Sequence, residues 1–297
     1  ADQAMYQAKQ AGKNRFHLFD VAHDIAVKTQ REETARIRQG LQDGEFVLHY
    51  QPKVNMRTGA VIGAEALIRW QHPERGLLAP AAFLPSIENH PICIDVGEWV
   101  IATALRQMAD WKALGLDVPV SVNIDAMQLQ KEGFSQRLSQ LLDQQPQVPA
   151  RWLCLEILET NALEDIALVS DIMRRCQALG VRFALDDFGT GYSSLTYLKR
   201  LGAEEIKIDQ SFVRDMLVDP DDLAIVQGVI GLAQAFHRNV VAEGVETVEH
   251  GARLLPLGCH LAQGYGIARP MPAQDLAQWA AQWEPHPTWT QQTEAAS

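Results

Sequence analysis

Positive charge is scarce in this 297-residue chain: 26 Lys and Arg stand against 37 Asp and Glu, a formal charge of −11. That balance argues against a grip on DNA or RNA duplexes, whose phosphate backbones are held by clustered Lys and Arg. A phosphate substrate stays open, because a bound cation reverses the local field. Cysteine is sparse too. Cys93, Cys154, Cys176 and Cys259 are scattered with no Cys-x-x-Cys pair. They read as reduced core residues of a cytoplasmic protein, not as a disulfide framework. The nine histidines form no cluster with cysteine at zinc spacing, so zinc is not expected. No apolar run approaches the ~20 residues of a membrane span, so no membrane segment is expected in this chain. The start, Ala1-Asp2-Gln3, resembles neither a signal peptide nor a natural beginning. The expectation is a piece of a longer protein, whose parent could be membrane-tethered.

What is present is the composition of a globular domain, 47% hydrophobic and 21% charged. Residues 1–20 stand apart as a short helix, a glycine (Gly12) and a short strand, too small to fold alone. Residues 21–41 are polar and charge-laced, with Ile25, Ala35, Ile37 and Leu41 as apolar anchors. They predict a connecting helix, solvated or packed on a partner. From Gly44 short apolar runs alternate with helical stretches. The runs are Phe46–Val54, Val61–Trp70, Val118–Ile124, Trp152–Leu158, Arg182–Asp187, Glu205–Ile208, Asn239–Glu243 and Gly258–Gln263. Helices are expected over Asp95–Leu114, Leu163–Leu179 and Asp222–Phe236. Alternation of this kind means a mainly parallel sheet. Eight runs favour an α/β fold closed into a TIM-type (β/α)₈ barrel. The first two runs are joined by a short turn, so one strand of the N-terminal hairpin must run antiparallel. Residues 42–283 make the barrel, and 284–297 are expected to form a loosely ordered tail.

The polar residues at the ends of these runs carry the chemistry. Glu65, Asn123, Glu156, Asp186, Asp187, Lys207, Glu243 and Gln263 lie in or end seven of them, with Glu159 and Asp209 just beyond two. A carboxylate in a buried strand costs several kcal/mol unless it is paired or metal-bound. Singly, each has an ordinary reading: a salt-bridged strand carboxylate, a helix cap for Asp186-Asp187 or Asp209, a solvent-seeking lysine for Lys207. Converging on one barrel rim, they predict an active-site floor. Carboxylates and an amide oxygen suit Mg²⁺ or Mn²⁺. The adjacent Asp186-Asp187 pair suggests two ions, the usual clamp for in-line attack on a phosphodiester, with Lys207 adding positive charge beside the reaction. The glycine-bearing loop from Asp187 through Tyr192 could cradle phosphate or act as a lid.

Glu65-Ala66-Leu67-Ile68-Arg69-Trp70 resembles the signature of EAL domains, the cyclic di-GMP phosphodiesterases of bacteria. Ser121-Val122-Asn123, Asp186 through Gly191, Ile206-Lys207-Ile208-Asp209, Ala242 through Glu246 and Gln263-Gly264-Tyr265 resemble that family's later motifs, in order. The resemblance implies a barrel with one antiparallel strand and hydrolysis of cyclic di-GMP to linear pGpG. It implies one metal on Glu65, Asn123, Glu156 and Asp186, and a second on Asp186, Asp187 and Glu243. Catalytic work falls to Lys207, Glu243, Asp209 and Glu159, the last steadying the loop after the fifth strand. Gln51, Leu67, Arg69, Asp209 and Gln263 are implied on the substrate side, and a homodimer is implied as the assembly. A non-catalytic module that binds cyclic di-GMP is the alternative. Leu158, Asp125 and Gly266 depart from the family pattern, and none of them is an implied ligand. Residues 1–19 resemble the C-terminal end of a GGDEF domain without its cyclase signature, so this chain is not expected to make cyclic di-GMP.

Overall fold

Strand alternation decides which side chains the barrel encloses. In Glu205–Ile208, Ile206 and Ile208 pack outward among the helices, while Glu205 and Lys207 point into the ring. A computed structural model describes residues 21–159, 165–190 and 195–291. The strands are β1 Phe46–Asn55, β2 Val61–His72, β3 Gly76–Leu78, β4 Val120–Asn123, β5 Leu153–Leu158, β6 Arg182–Phe188, β7 Glu205–Ile208, β8 Asn239–Ala242, β9 Leu261–Ala262 and β10 Met271–Pro272. The ring runs β1-β2-β4-β5-β6-β7-β8-β9 and closes on β1. β1 is antiparallel to both neighbours, and the other seven ring strands are parallel. The eight expected runs are these eight ring strands. The short β3 and β10 pair onto β2 and β1 outside the ring; at two or three residues they are too short for alternation to reveal.

Helices Ile92–Ala113, Ile166–Ala178 and Pro220–Ala235 cover the outer face, each within a few residues of its expected span. Val96, Val100, Leu105 and Met108 of the first, and Val169, Met173 and Cys176 of the second, are buried against the strands. All four cysteines are buried and unpaired. Among the described residues no helix is long and apolar enough to cross a membrane.

The connecting segment is a helix, Val21–Gln42, and its C-terminal half docks on the barrel. Thr34, Ile37 and Gly40 are buried, one per turn, whereas the expected anchor Ala35 is exposed. Arg36 pairs with Glu45 at 2.7 Å and lies over the Trp70 ring at 5.1 Å, and Trp70 Nε1 donates to Glu45 at 2.8 Å. A side chain at Gly40 would press on Phe46 and Trp70 at 3.1 Å, so the glycine lets the helix sit close. The expected GGDEF remnant at 1–20 lies outside the described residues.

The tail departs from expectation over residues 287–291. Pro287–Gln291 is helical and Trp289 is 3% exposed, its Nε1 donating to Val248 O at 2.9 Å. The indole lies over Gly251, where a Cβ would meet it at 2.5 Å. Burial of one large aromatic orders a segment whose sequence lacks periodicity. Trp289→Ala is expected to cost about 2–3 kcal/mol in urea unfolding. That is below the ~3–5 typical of a core Trp, because a terminal helix can detach locally.

Candidate active site

Five of the expected residues meet at one point. Lys207 is fully buried, and its Nζ lies 2.7 Å from Glu156 Oε2, 2.7 Å from Glu243 Oε1, 3.0 Å from Asp186 Oδ1 and 3.3 Å from Glu65 Oε2. The reading of Lys207 as a solvent-seeking lysine is therefore set aside. Glu65 anchors the amide side. Asn123 Nδ2 donates to its Oε1 at 2.7 Å, and Gln263 Nε2 donates to its Oε2 at 2.8 Å. Gln263 Nε2 also reaches Gln51 Oε1 at 2.9 Å, and Gln51 Nε2 is held by Ala268 O at 3.0 Å. Gln51 and Glu65 are direct partners in the β1–β2 register, so they necessarily share a face.

A bulge explains the Asp186-Asp187 pair. Successive residues of a regular strand point to opposite faces. Here Leu185 pairs with Ile206 but Phe188 with Ile208, so β6 carries one residue more than β7. Asp187 takes up the slack with φ 51, a left-handed conformation uncommon outside glycine. Asp186, Asp187 and Glu243 can then offer carboxylate oxygens within 4.8 Å of one another. The following turn is held by Glu159, whose Oε2 accepts from Gly189 N at 2.9 Å. Thr190 N bonds back to Asp187 O. The rest of the glycine loop, residues 191–192, lies outside the described residues.

The remaining expected residues sit around this cluster. Asp209 caps the helix Gln210–Asp215, accepting from Ser211 N at 2.9 Å, and its carboxylate stands near enough to Asp187 to raise that group. The capping alternative for Asp209 is thus realised without removing it from the site. Leu67 and Arg69 follow Glu65 at two-residue steps on β2, both half-buried. Arg69 Nη1 bonds Ile68 O at 2.9 Å, and neither residue reaches the carboxylates through a described hydrogen bond or ion pair. Gly266, one of the departures, has a structural reason: a Cβ there would stand 2.5 Å from the Glu246 backbone. Gly244, at φ 67, likewise meets Gln210 at 2.8 Å, which seats the segment carrying Glu243.

Three residues were given no role from the sequence: Lys53, Glu205 and Ser121, the last quoted only within the Ser121-Val122-Asn123 motif. Lys53 Nζ bonds Ser121 Oγ at 2.6 Å and Glu205 Oε1 at 3.0 Å, and pairs with Glu156 Oε1 at 3.4 Å. Lys53 stands two residues from Gln51, and Glu205 two from Lys207. That spacing was the available signal, since period two puts each pair on one face.

The electrostatics follow from crowding. One ammonium faces four carboxylates at Lys207, and the pocket is buried. Burial pushes Asp186 up to about 7, with Glu156, Glu65 and Asp187 adding to the rise and Lys207 opposing it. Burial and the neighbouring Asp209 carboxylate push Asp187 up to about 6. Glu243 is raised well above the usual range by burial, against the pull of Lys207. Glu156 goes the other way: burial raises it, but Lys207 and Lys53 together hold it below the ordinary carboxylate range. Acids that crowd without enough positive charge form a site suited to a hard cation. Gln263 Oε1 is buried with no hydrogen-bond partner among the described residues, and an amide oxygen left open beside carboxylates is a donor of the same hard type. The donor set fits a divalent cation.

The sequence matches the EAL domain family over residues 34–270. The chain belongs to the EAL domain family. It is 41% identical over 277 residues to a bifunctional diguanylate cyclase/cyclic di-GMP phosphodiesterase, MucR, of Pseudomonas aeruginosa, covering 93% of this chain and 40% of that protein. It is 38% identical to the cyclic di-GMP phosphodiesterase PdeR of Escherichia coli, covering 94% of this chain and 42% of the relative. The chain thus spans about two fifths of the length of these curated relatives. A solved structure of the P. aeruginosa MucR phosphodiesterase in complex with c-di-GMP superposes with a TM-score of 0.79 at 41% identity, covering 82% of this chain and 99% of that one. The EAL barrel expected from the motifs is therefore the fold.

Proposed function

We propose that this EAL domain hydrolyses cyclic di-GMP to linear pGpG by attack of water on one phosphodiester bond. The observation that carries the reading is the buried Lys207 among Glu65, Glu156, Asp186 and Glu243, with Asp187 beside them. The relatives named for cyclic di-GMP hydrolysis support the substrate. Two divalent cations, Mg²⁺ or Mn²⁺, would be held by Glu65, Asn123, Glu156 and Asp186 and by Asp186, Asp187 and Glu243, and would supply Lewis acidity and an acidified water.

The chain's own residues do the rest. Lys207, raised well above its ordinary range, keeps its proton throughout neutral pH. It acts as fixed positive charge beside the developing phosphorane and not as a base. Glu159 holds the turn at Gly189 and so fixes the Asp186-Asp187 bulge. Asp209, beside Asp187, would act as a carboxylate that orients its neighbours or a water rather than as a cation ligand. Gln51, Leu67, Arg69 and Gln263 line the approach of the substrate, Arg69 offering its guanidinium to a phosphate. A homodimer, as in the family resemblance, is part of this reading, and sedimentation that shows only monomer would refute that part.

The test is incubation with cyclic di-GMP and Mg²⁺ or Mn²⁺ while pGpG is followed. Turnover is expected with either metal and poor turnover with Ca²⁺, whose longer and looser coordination does not hold octahedral geometry. Saturable binding without turnover would instead make this domain a cyclic di-GMP receptor. Equal rates in Ca²⁺ and Mg²⁺ would remove the geometric role of the cation.

A further inference from the structure

The floor of the barrel has a second cation that the proposed reaction does not use. Lys53 lies in the middle of β1 and is 5% exposed. Its register partner on β2 is Gly63, which has no side chain to compete for the barrel interior. The ammonium is anchored below by Glu205 Oε1 at 3.0 Å and Ser121 Oγ at 2.6 Å. Above, it meets Glu156 Oε1 at 3.4 Å.

Glu156 is 1% exposed, and its other oxygen, Oε2, takes Lys207 at 2.7 Å. The carboxylate is therefore gripped at both oxygens by different lysines on opposite sides. With one grip a carboxylate can turn about its last bond, because terminal sp³–sp² torsions are broad. With two, its plane is fixed. We propose that Lys53 is a positioning residue: it holds the plane of Glu156 so that Oε2 stays aimed at the cation site, and Glu205 with Ser121 holds Lys53 in turn. Each carboxylate oxygen has two lone pairs, so Oε2 can still serve a cation beside Lys207. TIM-type barrels ordinarily fill this depth with branched apolar side chains. Here a polar layer of Lys53, Ser121 and Glu205 takes their place and supports the layer above.

Glu156 is a cation ligand only under the function proposed above, so Mn²⁺ binding is measured on the whole chain without cyclic di-GMP, by the electron paramagnetic resonance of free Mn²⁺. Lys53→Met is expected to weaken Mn²⁺ binding by about 10–100-fold, the usual effect of losing a residue that orients a ligand. It should lower kcat with little change in the KM for cyclic di-GMP. Lys53→Met with Glu205→Gln removes the charge imbalance along with the lysine. It is expected to unfold near the wild-type temperature and still bind Mn²⁺ as weakly as the single variant. Lys53→Arg has a cavity of about 200 Å³, lined by Lys53, Ser121 and Glu205, into which to extend, and is expected to keep most of the affinity. Mn²⁺ binding within about twofold of wild type in the stable double variant would overturn the role of Lys53, since a positioning effect of this kind is larger. So would equal losses in the Arg and Met variants. A wild-type protein that binds no Mn²⁺ would overturn the proposed function, and this role with it.

Discussion

Glu65→Gln is expected to lower turnover of cyclic di-GMP by about 10²–10³-fold, on the scale of removing one preorganised electrostatic group. The substitution keeps the volume and nearly the shape of the side chain. What changes is one oxygen and the charge. In the structure both carboxylate oxygens of Glu65 accept: Oε1 from Asn123 Nδ2, and Oε2 from Gln263 Nε2 and Lys207 Nζ. A glutamine must put an NH₂ where one of these oxygens was, so donor faces donor in a buried site, at a cost of about 1–3 kcal/mol. Asn123 or Gln263 must then turn, and each is an expected neighbour of the cation. Binding of cyclic di-GMP, measured in Ca²⁺ to suppress turnover, should change far less than kcat, because the substrate contacts assigned to Arg69 and Gln51 stay in place. Turnover within about threefold of wild type would remove Glu65 from the site, being far less than such a group supplies.

How far such a site can be read without coordinates depends on which physical rule places each residue. Glu65, Asn123, Glu156, Lys207 and Glu243 were legible because strand ends of a closed barrel converge on one rim, so a polar residue in each run is enough to locate it. Eight ring strands followed from alternation and helix spacing, including the antiparallel β1, which the short turn at Asn55–Gly59 requires. The bulge in β6 was not legible. Nothing in Leu185-Asp186-Asp187-Phe188 marks an extra residue, and only pairing with β7 reveals it. Lys53 and Glu205 were missed for another reason. Each stands two residues from a recognised polar residue, which places it on the inner face, but what a buried lysine does there shows only once its partner from a distant strand is known. Their separation in sequence is 152 residues. The tail failed in the opposite direction. The segment at Pro287–Gln291 shows no period, yet Trp289 finds a seat over Gly251.

Lys207→Met is expected to destabilise the metal-free protein by about 3–5 kcal/mol near neutral pH, the scale for breaking a buried ion pair, with the deficit largely recovered in Mg²⁺ or Mn²⁺. The direction with pH follows from the carboxylates. Asp186 at about 7 and Asp187 at about 6 are raised above their unfolded values, chiefly by burial. The folded state therefore binds more protons than the unfolded state between about pH 4 and 7, and metal-free stability falls as pH rises through that window. Lys207 is raised, so its contribution is fully present below its unfolded value and is lost only in strong alkali. Within the acidic window it is the charge that keeps the deprotonated cluster tolerable. Without it, protonation is the remaining remedy, so the variant should lose less stability near pH 5 than near pH 8, where the raised carboxylates are charged as well. A divalent cation supplies positive charge at the same place, and its stabilising effect on the variant should exceed that on the wild type. Thermal unfolding in chelator and in Mg²⁺ at the two pH values reads all four quantities. The same loss at both pH values, or no recovery with the cation, would mean that Lys207 acts through packing alone and that the carboxylates around it do not form a cation site.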